Sequence, residues 1–235
     1  MTREISPPPS RLLLGELRGA LEPARLLLRA PLLATLPRGD GAHVMLLPGY
    51  GASESSTTVL QGFLHLLGYR TSAWGLGRNT GHVAKLMPRV LVRVDELVAE
   101  HDADVHLLGW SLGGYIAREA ARERPEKIRS VITMGSPVIG GPKYTTVAGR
   151  YRRKGHDLDE LERLVDARYA KPLATPVTAI FSKSDGIVAW EACIDRRSPG
   201  MEHVEVQTTH IGLGFCPEVY RIIAQRLARH SGNRN

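Results

Sequence analysis

Cysteine is scarce in this chain of 235 residues, with Cys193 and Cys216 its only two. Two such residues make no disulfide framework and fit no metal-ligand spacing, so a reducing compartment is expected and cysteine chemistry is disfavoured. Long apolar runs are also missing. No stretch approaches the roughly 18 to 20 uninterrupted apolar residues of a membrane span, and the N-terminus lacks the cationic start, apolar run and small-residue site of a secretion signal. A cytoplasmic location is therefore expected. Internal repeats, low-complexity tracts and nucleic-acid-binding motifs are absent too.

The middle of the chain lacks net charge. The formal charge is +7, but residues 1–38 hold six arginines against three glutamates, and residues 221–235 hold four arginines and no acid. These two ends account for all of it. Charge confined to the ends reads as solvated helix faces or tails, not as a groove for phosphates, so no nucleic-acid partner is expected.

With 43% hydrophobic residues, the chain can bury one sizeable core but is short for two, which predicts a single domain over 1–235. Residues 1–9 end in Pro7-Pro8-Pro9 and read as a loose lead-in. Leucines and alanines from Leu13 to Leu28 recur at spacings of three and four, interrupted at Pro23 and Pro31, so residues 1–38 form a helical N-terminal extension. It either covers the edge of a sheet or presents its leucine-rich, arginine-flanked surface to lipid, a partner or the mouth of a site. From His43 onward strands and helices alternate. Strands are predicted at 43–47, 69–74, 104–108, 128–134, 177–181 and 203–207, and helices at 53–67, 82–101, 115–123, 157–170 and 218–230. Such alternation implies an α/β fold with about six mainly parallel strands, helices on both faces, and ligands at the carboxyl ends of the strands. Residues 139–172 break the pattern with a glycine-rich loop and a basic cluster at Arg150, Arg152, Arg153 and Lys154. They read as a small cap over the site or as a crossover helix with a long lead-in.

The chemistry converges on Gly109-Trp110-Ser111-Leu112-Gly113. It matches Gly-x-Ser-x-Gly between a strand and a helix, the setting in which a serine sits on a sharp, strained turn with its hydroxyl presented above the sheet. Read alone, it is a glycine-rich turn for tight packing. A serine nucleophile needs a base, and the base needs a group to hold its tautomer. Asp185 follows the strand 177–181 and His210 follows the last strand, in the order Ser, Asp, His. Asp185-Gly186 alone is also a turn signal, and His82 and His156 lie in loops that could reach the same place. An oxyanion needs amide donors, here the amides of Leu112, directly after the serine, and Tyr50, in the turn Pro48-Gly49-Tyr50-Gly51. Trp110, Gly49 and Trp74 are assigned as substrate contacts. No metal and no cofactor are called for.

From His43 onward, on Gly109-x-Ser111-x-Gly113, Asp185-Gly186-Ile187-Val188 and His210-Ile211-Gly212, the chain resembles the α/β-hydrolase superfamily. Within it, the resemblance is to compact bacterial lipase- and esterase-like members. It implies Ser111 as nucleophile, Asp185 as acid, His210 as base, and Tyr50 and Leu112 as oxyanion amide donors. The chain departs from the pattern twice: Pro48-Gly49 stands where most lipases have His-Gly, and helices replace the usual leading antiparallel strands. The expected activity is hydrolysis of a small, hydrophobic carboxylic ester through an acyl-enzyme, with peripheral lipid contact through the N-terminal helices. The alternatives are an acyltransferase or thioesterase using the same three residues and, less in keeping with a fully populated site, a non-catalytic binding module.

Overall fold

The computed structural model describes residues 5–231. Residues 1–4 of the lead-in and the tail 232–235, with Arg234, lie outside the described residues. Six strands, β1 (His43–Leu47), β2 (Arg70–Ala73), β3 (Val105–Trp110), β4 (Ile128–Met134), β5 (Val177–Phe181) and β6 (Met201–Glu205), form one sheet in the order β2-β1-β3-β4-β5-β6. Every pairing is parallel. The chain leaves β1 for β2 on one side and then crosses to β3 on the other, so the carboxyl ends of β1 and β3 flank a topological switch point, where ligands of open α/β sheets collect.

The period-two geometry of a strand divides the core into two layers. Val44 and Leu46 of β1 point into an apolar cluster with α3 (Thr58–Leu66) and α8 (Pro217–Ser231), joined by Leu33 of α2 (Glu22–Leu33). Met45 and Leu47 point the other way, into a cluster with α4 (Val83–His101) and α5 (Leu112–Glu123). Helices thus lie on both faces, as a parallel sheet requires.

Several boundaries differ from the sequence reading. The last strand runs 201–205, not 203–207. Gly200, at φ +70°, closes the preceding turn, so pairing starts where β5 starts, at Val177 and Met201. The predicted helix at 53–67 is a 3₁₀ turn (Glu54–Thr57) followed by α3. The basic cluster after residue 148 lies on a short helix, α6 (Ala148–Arg153), which buries Ala148 and Tyr151 and leaves the charges outside. The helix predicted at 157–170 is α7 (Leu158–Ala167) and one 3₁₀ turn. Asp157 caps α7, accepting from the amides of Asp159 and Glu160. At the other end of the chain, α1 (Ser10–Gly15), a 3₁₀ segment (Glu16–Leu21) and α2 form the helical extension.

The outer side of α5 carries a buried ionic network. Arg118 pairs with Glu119 at 2.6 Å and with Asp195 in the β5–β6 connection. Arg122 and Arg168 both reach Glu119, at 3.0 and 2.8 Å. The Tyr169 ring lies over Arg118 and Arg122, 5.0 and 5.5 Å from its centroid. Asp195 also accepts the amides of Arg197 and Ser198. The helix that follows Ser111 is thereby fixed to both the 139–172 segment and the lead-in to β6. Removing one partner of such a pair strands the other charge in the interior. Asp195→Ala is expected to lower the unfolding free energy by about 3–5 kcal/mol, measured by urea denaturation followed by circular dichroism.

Candidate active site

Between β3 and α5, Ser111 adopts φ +55° and ψ −124°. Among the described residues only Asp102 shares a positive φ without being glycine. A side chain held there costs about 1–3 kcal/mol and persists only when its surroundings enforce it. The surroundings are the glycines on either side. A Cβ on Gly109 would lie 2.4 Å from the backbone of Gly113 and Gly114, and one on Gly113 would lie 2.2 Å from the carbonyl oxygen of Leu47. Strand, helix and the neighbouring β1 therefore close to backbone contact, and the turn between them has no slack. The Ser111 amide donates to the Met134 carbonyl at 2.7 Å, which ties the elbow to β4.

Asp185 is buried and divides its carboxylate. Oδ1 accepts the amides of Ile187 and Val188 at 2.8 and 2.7 Å, while Oδ2 accepts Nδ1–H of His210 at 2.6 Å. The turn signal and the partner of a histidine turn out to be one residue using two oxygens. With Nδ1 as donor, the neutral His210 ring keeps its lone pair on Nε2. Burial, the largest single influence, works against a charged ring, but the Asp185 charge, its hydrogen bond and the Glu16 charge outweigh it, so the pKa of His210 is raised above the ordinary 6.5.

Ser111 and His210 line the same cavity of about 490 Å³, at the switch point, with Gly49, Tyr50, Trp110 and Leu112. Its size is that of a small-ligand pocket. A larger hollow of about 1020 Å³ between α2 and α8 contains none of these groups. Among the described residues no hydrogen bond joins Ser111 Oγ to His210, and contacts of this kind often tighten only around substrate. The amides of Tyr50 and Leu112 have no hydrogen-bond acceptor among the described residues. One wall of the cavity comes from Thr145, Thr146, Val147, Arg150 and Tyr151 in the 139–172 segment. That segment is pinned to the loop of Asp185: Thr146 N donates to Ile187 O, and Ala189 N to Tyr144 O.

Trp74 does not join this group. It is fully buried among side chains of α4 and α5, and its Nε1 donates to Gly77 O at 2.9 Å, so it is wall and not contact surface. Trp110 does line the cavity, and its Nε1 also donates to the His210 carbonyl at 3.2 Å. His82 and His156 face one another at 5.9 Å, outside the cavity lining. His43, lowered to about 4, and His106, lowered further, are held neutral chiefly by burial, and each bonds a serine of the neighbouring strand. Burial raises both cysteine thiols, which leaves them unreactive. Among the described residues, no three His, Cys, Asp or Glu side chains are grouped so as to hold a metal ion, and no helix is long and apolar enough to cross a membrane.

Two contributors carried no sequence signal of their own. Asn79 is buried and staples the Pro48–Ala52 loop: its Nδ2 donates to Pro48 O at 2.8 Å, its backbone carbonyl accepts from Gly51 N and its backbone N–H donates to Ala52 O. Glu16, from the N-terminal extension, accepts the amides of Gly186, His210 and Ile211.

A model of the alpha/beta hydrolase family matches residues 21–230. Among curated proteins, the pimeloyl-acyl-carrier-protein methyl ester esterase of Aeromonas hydrophila is 32% identical over 105 residues, covering 42% of this chain and 39% of that protein. Its counterpart from Klebsiella pneumoniae is 31% identical over 104 residues, with 43% and 39% covered. The matched stretch spans about two fifths of the length of these relatives. Among solved structures, the monoacylglycerol lipase of Paleococcus ferrophilus superposes with a TM-score of 0.61 at 20% identity, covering 83% of this chain and 97% of that one. A metagenome-derived lipolytic enzyme superposes with a TM-score of 0.63 at 14% identity, covering 83% and 96%. At such identities the likeness is one of fold.

Gly135, after β4, has φ +55°, and a Cβ there would lie 2.9 Å from both Asp185 Oδ2 and His210 Nδ1. Gly135→Ala is expected to cost about 1–3 kcal/mol of stability and to part the two side chains. The deshielded Nδ1 proton resonance of His210 in NMR spectra should weaken in the variant, and an unchanged resonance would contradict this account.

Proposed function

Because the chain belongs to the alpha/beta hydrolase family, we propose that it is a serine hydrolase cleaving carboxylic esters through an acyl-enzyme. The observation that carries this reading is the buried Asp185–His210 hydrogen bond, opening on the same cavity as the strained Ser111. Ser111 Oγ attacks the ester carbonyl as His210 Nε2 takes its proton. Asp185 holds the ring by Nδ1–H and stabilises the imidazolium. The amides of Tyr50 and Leu112 receive the oxyanion, each worth about 3 kcal/mol in the transition state. The tetrahedral species expels the alcohol, protonated by His210, and leaves the acyl group on Ser111. Water, deprotonated by His210, attacks that acyl ester, and collapse releases the acid and restores the hydroxyl.

Residues 139–172 act as a small cap within a single domain, since residues 142–151 supply one wall of the cavity. A hydrophobic substrate fits walls that include Leu13, Leu112, Val147, Val188 and Ile211. The activities named for the relatives, on a methyl ester and on monoacylglycerols, belong to the same reaction class. The extension favours peripheral lipid contact: Leu14, Leu17 and Leu28 are 73%, 79% and 81% exposed, interspersed with Arg11, Arg18, Arg25 and Arg29. Leu13 reaches from that surface into the cavity. An apolar, cationic face of this kind suits an anionic lipid surface.

Turnover of p-nitrophenyl esters from acetate to palmitate is expected to peak at one acyl length and to fall about a thousandfold or more in Ser111→Ala. Turnover retained in that variant would overturn the reading. Since the base must be neutral and the pKa of His210 is raised, kcat/KM should fall with decreasing pH through a midpoint above 6.5. For the lipid contact, co-sedimentation with phosphatidylglycerol vesicles is expected, weakened by Leu17→Asp and by added salt; equal binding to neutral vesicles would argue against the cationic part.

A further inference from the structure

The carboxylate of Glu16 is buried beneath two loops at once. Its Oε1 accepts the amide of Gly186, directly after Asp185, at 2.7 Å, and the amide of His210 itself at 2.9 Å. Its Oε2 accepts the amide of Ile211 at 2.9 Å. One side chain therefore fixes the distance between the backbone that carries the acid and the backbone that carries the base. The surrounding contact is tight on both sides. A Cβ on Gly186 would lie 2.3 Å from the Leu12 carbonyl oxygen, and one on Gly19 would lie 2.6 Å from Thr209 Oγ1. Glu22 adds a second strut, accepting from Thr208 Oγ1 at 3.0 Å.

We propose that Glu16 is a positioning residue of the active site, through which the N-terminal extension sets the alignment and charge of the Asp185–His210 pair. The proposal rests on the reading of Ser111, Asp185 and His210 as the reacting groups. Three charge-assisted hydrogen bonds to backbone leave the loops little freedom, and sub-ångström alignment of a base governs turnover more than binding. The carboxylate also adds negative charge near an imidazole that becomes cationic during the reaction, and it contributes to the raised pKa of His210. The other ionisable groups facing His210 are Asp185 on the loop after β5 and, across the cavity, Arg150 and Tyr151 of α6 and Tyr50 after β1. The buried Cys193 thiol lies beside Asp185.

The test compares Glu16→Gln, Glu16→Ala and Leu33→Ala, the last removing apolar packing of α2 against the core while leaving the Glu16 carboxylate in place. In Glu16→Gln, an NH₂ group replaces one accepting oxygen and meets a backbone donor, and the charge is gone. Expected is a loss in kcat of about ten- to a hundredfold with KM within about twofold, together with a shift of the acid limb of kcat/KM to lower pH. An NMR titration of the His210 ring should shift in the same direction, because removing a nearby negative charge disfavours the cation. Leu33→Ala should lose stability while keeping the His210 titration. Wild-type kcat and wild-type His210 titration in both folded Glu16 variants would overturn the proposal, as would the same titration shift in Leu33→Ala. Ser111→Ala is assayed alongside: if it retains turnover, the reading of the site fails. If it is inactive while the Glu16 variants behave as wild type, only the role of Glu16 fails.

Discussion

The hydrogen bond from His210 Nδ1 to Asp185 Oδ2, 2.6 Å and buried, has its direction fixed by the engagement of the other Asp185 oxygen. Two amides of its own turn hold Oδ1, so the carboxylate cannot rotate without breaking them. A buried carboxylate with unfilled acceptor capacity would be costly; here each oxygen is used. Around that bond the packing leaves no spare volume. Gly135 forms its floor, the Trp110 indole holds the His210 carbonyl, and Ser182 Oγ donates to Thr208 O at 2.5 Å, joining the two loops.

The parallel sheet provides the frame in which such a bond can be made. Consecutive strands deliver their carboxyl ends to one edge, so loops far apart in sequence meet there. The switch between β1 and β3 adds the hollow into which Ser111 opens. Backbone strain at Ser111 is sustained by contacts that admit no side chain at Gly109 or Gly113, and the helix behind it is anchored by the Arg118–Glu119–Asp195 network. Rigidity at Ser111 therefore comes from ordinary packing on the inner side of α5 and from buried charge on its outer side.

The extension combines two roles that composition alone would keep apart. Its exposed leucines and arginines face outward, while Glu16 and Glu22, which offset part of the basic charge of this segment, are buried against the loops. A count of charges treats these glutamates as solvated. Their burial leaves the outward face more cationic than the count suggests.

Local chemistry determined much of this molecule from the sequence alone. The apolar runs mark the four inner strands, β1, β3, β4 and β5, because burial on both faces of a parallel sheet demands continuous hydrophobic stretches, whereas the edge strands β2 and β6 are partly exposed and mixed in composition. Ser111 was legible because its glycines and flanking elements lie within a few positions of it. Asp185 and His210 were legible because each follows its own strand, so the sheet's topology could be read forward to their meeting. Tertiary structure alone decided the rest. Glu16 finds its partners 170 to 195 positions away, and Asn79 finds Pro48 across a 31-residue gap; no periodicity or spacing marks a side chain whose role is to accept distant backbone amides. Trp74 fails as a contact for the converse reason. An aromatic at a strand end looks alike in sequence whether it faces a cavity or the core, and the choice is made by which side of the sheet the neighbouring helices fill.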